Sequence, residues 1–228
     1  MNNILNEIIN SADSSYAEFT AKLIPTIPCE KILGVRAPMA KKIAKKYSKT
    51  NDGKAFLASL PHAYHDEYMV HAYMLGYLSL PFEEMQMHVS ALLPYVDNWA
   101  VCDSLCAAIK HFFKDRESAL DFLLSCVKSD KIYTVRFGLV CLLDYYIDEK
   151  YISTLISLVK TVKSEEYYIN MALAWLVSIM LIKEYEKTLP LILNGTLDVW
   201  VHNKSISKFC ESLRPSKDQK AYLKTLRR

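Results

Sequence analysis

Five stretches of the chain open on an aromatic residue and run on as helix-like apolar segments. They are YMVHAYMLG from Tyr68, WAVCDSLCA from Trp99, YTVRFGLVC from Tyr133, YINMALAWL from Tyr168 and WVHNKSISK from Trp200. The leading aromatics stand 31, 34, 35 and 32 residues apart. Between them lie second segments with apolar residues at i, i+3, i+4 and i+7, among them EEMQMHVSALL, ESALDFLLSCV, KYISTLISLVK and YEKTLPLILN.

A period of this length with two helices per unit predicts an all-α fold, an α-solenoid of HEAT-like helical repeats. One helical hairpin leaves an apolar face that only its neighbours cover, so the array has to be continuous. No linker interrupts it, and a single domain over residues 1–228 is expected. Start signals agree with the pattern. Pro81 opens one helix, Asp97 or Asn98 precedes the helix of Trp99, and Ser164 precedes EEYYINMALAW with acids in its first turn.

Composition narrows the class further. Half of the residues are apolar (51%) and 23% are charged, which fits a globular chain rather than a disordered one. The longest apolar run, MALAWLVSIMLI, falls short of the roughly 18–20 residues that span a bilayer, so no membrane association is expected. The N-terminal stretch MNNILNEIINSADSS carries acids and lacks the basic region of a secretory signal. The six cysteines form no C-x-x-C pair, which predicts reduced, buried thiols in a cytoplasmic protein. The chain contains no Walker loop, no G-x-G-x-x-G, no G-x-S-x-G and no H-E-x-x-H. The six histidines show no metal-ligand spacing, so no metal site is expected.

Positive charge is concentrated at the two ends. GVRAPMAKKIAKKYSK carries Arg36, Lys41, Lys42, Lys45, Lys46 and Lys49, and Lys217, Lys220, Lys224, Arg227 and Arg228 close the chain. Such runs are commonly solvated helix faces. They also suit phosphate contacts, with Arg36 just before a helix start where backbone N–H groups are free. Arg36, Lys41, Lys42 and Lys45 are the candidate DNA contacts, to a duplex held through its backbone without sequence preference.

Trp99 and Asp103 are four residues apart and share one helix face. An aromatic at the position of Trp99 recurs in five units, so packing is its default role. The polar column beside it is less regular: His71, Arg136 and Asn203 follow their aromatics by three residues, and Asp103 follows Trp99 by four. Those residues either face one common surface or are buried with a partner each.

Taken in order, LGVRAP at 33–38, WAVCD at 99–103, VRFGL at 135–139 and ALAW at 172–175 resemble the motifs of the AlkD-type alkylpurine DNA glycosylases, a bacterial HEAT-like repeat family. The resemblance covers nearly the whole chain. It implies a C-shaped solenoid with duplex DNA on its concave face, and excision of purines alkylated at N3 or N7 without a cofactor. By motif, Asp103 is the catalytic carboxylate, Trp99 and Trp175 the two pocket tryptophans, and Arg136 a contact to the DNA backbone. The protein is expected to act as a monomer. The chain departs from the family pattern at Ala100, where a second acid is common. It departs also near Pro25, where some members carry a tyrosine, and at LVSIMLIKEY after Trp175. The same basic surface would also serve a non-catalytic homologue that binds branched or distorted DNA, or a scaffold for a protein partner.

Overall fold

A computed structural model of the chain describes residues 3–228. Among the described residues there are α-helices and short 3-10 turns and no strand. The helices are α1 (Asn3–Asn10), α2 (Ser14–Leu23), α3 (Ala37–Tyr47), α4 (Asn51–Ala58), α5 (His65–Gly76), α6 (Phe82–Leu92), α7 (Trp99–Ala108), α8 (Arg116–Val127), α9 (Ile132–Tyr145), α10 (Ile152–Thr161), α11 (Tyr167–Lys183), α12 (Tyr185–Leu193), α13 (Val199–Glu211) and α14 (Lys217–Thr225). The five aromatic-led segments are α5, α7, α9, α11 and α13, and the four segments between them are α6, α8, α10 and α12. The helical repeat read from the spacing is the repeat in the structure.

The chain divides into two compact units, Met1–Asp115 and Arg116–Arg228. In the first, α5 packs between α3 and α7. Gly76 makes this approach close, because a Cβ there would lie 2.6 Å from the carbonyl oxygen of Ala108. In the second unit α9, α11 and α13 pack side by side, with α8 against α9 and α12 against α11. Having neighbours on both sides, α11 buries Ile169, Ala172, Leu173, Ala174, Leu176, Val177, Met180 and Leu181 and shows little amphipathic character. The apolar run that comes nearest to a membrane span is therefore a core helix. No helix among the described residues is long and apolar enough to cross a membrane.

Local signals set the helix starts. The Asn98 side chain accepts a hydrogen bond from the Val101 N–H at 3.0 Å, so Asn98 rather than Asp97 caps α7. Ser164 lies further from its helix than its sequence position suggests. Its hydroxyl accepts from the Glu166 N–H, and α11 begins at Tyr167 with both acids ahead of it. Four of the six cysteines are buried, while Cys29 is exposed and Cys210 half-buried.

The polar column resolves partly into the core. His71 is buried on α5, and its Nδ1 lies 2.9 Å from Nε2 of His62. The His62 ring stacks on Phe56 with centroids 4.4 Å apart. Burial lowers the pKa of His62 to about 4, and burial also holds His71 well below its usual value. The sign of the effect on stability follows. The unfolded chain takes up the His62 proton near pH 6.5, while the folded chain resists it until pH falls through about 4, and His71 acts in the same direction. Stability is therefore full above pH 6.5 and lost progressively below it. Between pH 7 and pH 4.5 the expected loss is on the order of 2–3 kcal/mol. It sets in at higher pH than carboxylate protonation, and urea unfolding at a series of pH values measures it.

Candidate functional site

Within the first unit, three helices present side chains one turn apart to a single open groove of about 560 Å³. Ala37 and Lys41 come from α3, Met69 and Tyr73 from α5 with Tyr77 just past its end, and Trp99, Asp103 and Ala107 from α7. The spacing of four residues on each helix is what puts each set on one face. Small residues, Gly76, Ala100, Ser104 and Ala108, leave the space that the larger side chains surround.

Trp99 has two roles here. Its indole Nε1–H donates to the Leu23 carbonyl at 3.0 Å. The ring also packs against the buried cluster Ile24, Ile27 and Ile32, together with Ala17, Ala21 and Ala100. The segment from α2 through Ile32 thus fixes the plane of the indole, which is half-buried and still lines the groove. Pro25 is exposed in this same segment. Asp103, one turn after Trp99, is half-exposed in the groove. The Tyr73 hydroxyl and Ser104 Oγ are 3.3 Å apart, and Lys41 Nζ stands over the Tyr73 ring at 5.1 Å. A cation–π contact of this kind holds an exposed ammonium with about 0.5–1 kcal/mol.

The other basic candidates on this unit are placed differently. Arg36 donates from Nε and Nη2 to one carboxylate oxygen of Asp13, at 3.1 and 2.9 Å, and lies over the Tyr16 ring. Asp13 also accepts from the Tyr16 N–H and the Ser15 hydroxyl. These bonds, the Tyr16 one foremost and then Ser15 and Arg36, lower its pKa to about 2. Much of the Arg36 charge is thereby answered within the protein. Lys42 and Lys45 are exposed on α3. Neighbouring Lys46 pairs with Glu7 at 2.7 Å.

The LGVRAP loop itself is braced from below. The buried carboxylate of Asp66, at the start of α5, accepts from the Leu33 N–H at 2.7 Å and from the Val35 N–H at 2.6 Å. Gly34 between them has φ +82°, and a Cβ there would lie 2.2 Å from the Asp13 carbonyl oxygen. Only glycine fits such a position. The motif therefore sets the entry angle of α3, and so the place of Lys41.

In the second unit, Arg136 is buried on α9, and its Nη1–H donates to the Tyr168 carbonyl at 3.1 Å. Trp175 is half-buried on α11, with Lys208 Nζ of α13 over its ring at 5.8 Å. Lys208 has a pKa below the usual lysine value, chiefly because burial disfavours the ammonium. Lys204 and Arg136 add to the lowering, against the opposing pull of Glu211. Arg136 and Trp175 thus belong to one neighbourhood with Lys208 as its hub. Asn203, the last member of the polar column, binds the main chain of Arg228 through its side-chain amide, whose NH2 donates to the Arg228 carbonyl and whose oxygen accepts from the Arg228 N–H.

The family model of the DNA alkylation repair enzyme matches residues 4–189. This chain belongs to the DNA alkylation repair enzyme family. A comparison with curated proteins finds no match. The span matched by the DNA alkylation repair family contains Lys41, Trp99, Asp103, Arg136 and Trp175, and ends before Lys204 and Lys208.

Three residues of these two neighbourhoods escape a reading of the sequence. Tyr73 looks like one more apolar position of α5. Asp66 looks like an acid complementing a helix N-terminus. Lys208 has one available signal, its spacing of four from Lys204, which puts both ammonium groups on one face of α13.

Proposed function

We propose that the protein is a DNA glycosylase that removes positively charged N3- or N7-alkylated purines from duplex DNA by cleaving the N-glycosidic bond. The observation that carries this reading is that Trp99 and Asp103, one turn apart, line a single open groove together with Lys41.

The chemistry suits a site with one carboxylate. Alkylation at N3 or N7 already leaves the purine cationic, so the base departs with the bonding electrons and needs no general acid. The C1′ carbon and the ring oxygen of the sugar share the positive charge that results. A carboxylate about 4 Å away at an effective dielectric of about 20 favours that charge by roughly 4 kcal/mol. Asp103 supplies this counter-charge and orients the water that attacks C1′. Trp99 offers an aromatic face to the same cation, worth about 0.5–2 kcal/mol. Because its N–H is committed to Leu23, the ring is held in place before the substrate arrives. Lys41, poised on Tyr73, takes a backbone phosphate, and Arg36, Lys42 and Lys45 extend the positive surface along α3. In the second unit Trp175 is assigned a further contact to DNA, and Arg136, buried and bonded to the Tyr168 carbonyl, adds positive charge rather than an exposed phosphate contact. The family resemblance implies a reaction worked on the sugar in an open cleft, with bulky adducts on the base tolerated, and the open groove suits it. The reaction needs no cofactor, and we place it in the cytoplasm, carried out by a monomer.

The test is direct. Incubated with duplex DNA containing 7-methylguanine, the wild-type protein is expected to release the free base, quantified by chromatography against a protein-free control. No release above that control, with the duplex bound, overturns the reading.

One observation favours a second reading. The Lys208 ammonium already stands over the Trp175 face, where it opposes a second cation. A protein that binds branched or distorted duplexes without excision would tolerate that arrangement. It would retain the methylated duplex, release no base, and bind four-way junctions more tightly than linear DNA.

A further inference from the structure

We propose that Trp200 and Lys204 form a stacking site for an unpaired nucleotide, through which the second unit binds a single-stranded stretch of DNA. This rests on the reading that the protein binds DNA, and is independent of whether it excises bases.

The repeat supplies the first argument. Trp200 stands near the start of α13 as Trp99 stands at the start of α7, and Lys204 follows it by four residues as Asp103 follows Trp99. Each pair lies on one helix face and lines a groove, that of Trp200 measuring about 570 Å³. The difference is the sign of the charge. An indole beside a carboxylate suits a cation, whereas an indole beside an ammonium suits a flat ring attached to an anion. A nucleotide is such a ligand, with its base on the indole face and its phosphate on the ammonium.

Exposure is the second argument. The equivalent aromatics Tyr68 and Tyr133 are 9% and 8% exposed, while Trp200 is 40% exposed, and its neighbours Val199 and Tyr167 are exposed as well. The last helix, α14, and the residues after it bond to α13 at His202, Ser207 and Cys210 and leave the Trp200 ring open. The ring is nonetheless held. Tyr167 packs against it in a T-shaped contact with centroids 5.8 Å apart, and the Asp198 carboxylate fixes the backbone by accepting from the Trp200 N–H at 2.8 Å. An aromatic face that is open and already fixed loses little freedom when a base stacks on it.

Charge around the groove selects the partner. Arg227 donates from Nη2 to Ser207 Oγ on the groove wall at 3.0 Å, which brings a second cation to the site. Asp198 is the one carboxylate lining the groove, and it is engaged at the start of α13, where the helix dipole answers its charge. Glu165 and Glu166 are exposed just ahead of Tyr167, so a phosphate chain is directed along α13 past Lys204 rather than toward the start of α11. A duplex keeps its bases stacked on one another and offers Trp200 no free face. A single strand does, and its bases stack on an aromatic side chain whatever their sequence.

The experiment titrates the full chain at low salt with end-labelled oligothymidylate of about ten nucleotides, and in parallel with a blunt duplex, both read by fluorescence anisotropy. The wild type is expected to bind the single strand, and the unlabelled strand is expected to quench its tryptophan emission. Trp200→Ala should weaken single-strand binding about tenfold while blunt-duplex affinity holds within about twofold. Trp200→Phe keeps an aromatic face against Tyr167, so it should bind within about threefold of wild type and lose most of the quenching. Lys204→Ala should weaken the binding and reduce the slope of its salt dependence by about 0.7, the share of one phosphate. Failure of the wild type to bind oligothymidylate overturns the proposal. So does a Trp200→Ala affinity within about twofold of wild type, an equal loss on strand and duplex, or full quenching retained in Trp200→Phe. Oligouridylate bound about tenfold more tightly than oligothymidylate overturns the assignment to DNA. A wild type that binds the duplex and not the single strand leaves base release untouched, and failure to release 7-methylguanine leaves this result standing.

Discussion

Asp103→Asn is expected to release 7-methylguanine from duplex DNA about 10²–10³-fold more slowly than wild type, a loss of roughly 3–4 kcal/mol in transition-state stabilisation. The substitution is nearly isosteric. It keeps the side chain on the groove-lining face of α7 and removes only the negative charge. Binding of intact duplex should hold within about twofold, because the contacts assigned to phosphate lie on α3 and in the second unit. This separation is what makes the variant informative. A counter-charge that acts only when the sugar becomes cationic changes the rate and leaves ground-state affinity alone. A packing role for Asp103 would instead appear as a lower unfolding midpoint with unchanged release per folded molecule. Single-turnover release at saturating protein, beside a gel-shift titration, gives both quantities. A variant rate within threefold of wild type would place the developing charge somewhere other than beside Asp103.

The sequence carried the helical architecture because the repeat states it several times over. Five aromatic-led segments and the four between them correspond to α5 through α13, and the repeat is visible because each hairpin has to bury the same kind of face. The groove was legible in part. Trp99 and Asp103 share a face by their spacing of four, and Lys41 sits in the basic stretch of α3. What was not legible is contact between residues far apart in the chain. The Trp99 N–H reaches a carbonyl 76 residues away, and Asp66 reaches two N–H groups 33 and 31 residues away. No local pattern encodes either pairing. The polar column shows the same limit from the other side. His71 and Arg136 are buried with partners, His62 and the Tyr168 carbonyl, whereas Asp103 lines the groove. Matching repeat positions say which residues are equivalent. Which of them meets water is decided by the neighbouring helix.

Asp66→Ala is expected to destabilise the first unit by about 3–5 kcal/mol, because it removes the acceptor of two short hydrogen bonds and leaves both donors behind. Charge-assisted bonds of this kind are worth about 1.5–3 kcal/mol each, and a buried N–H left without a partner adds its own desolvation cost. Val35 is 5% exposed and Asp66 2%, so water has little access to replace the lost oxygens. Asp66→Asn should cost less, about 2–3 kcal/mol, since one carbonyl oxygen remains to accept while the amide turns a donor toward the second N–H. Urea unfolding at pH 7 measures both, and an Asp66→Ala loss below about 1 kcal/mol would contradict the brace. The loop held this way carries Gly34 and Arg36 and leads directly into α3. Under conditions where Asp66→Asn is still folded, its duplex affinity should therefore fall with the loosening of α3. Lys41→Ala should weaken the same binding while costing the fold no more than the roughly 0.5–1 kcal/mol of its contact with Tyr73. That contrast separates a residue that contacts DNA from one that positions the helix doing so.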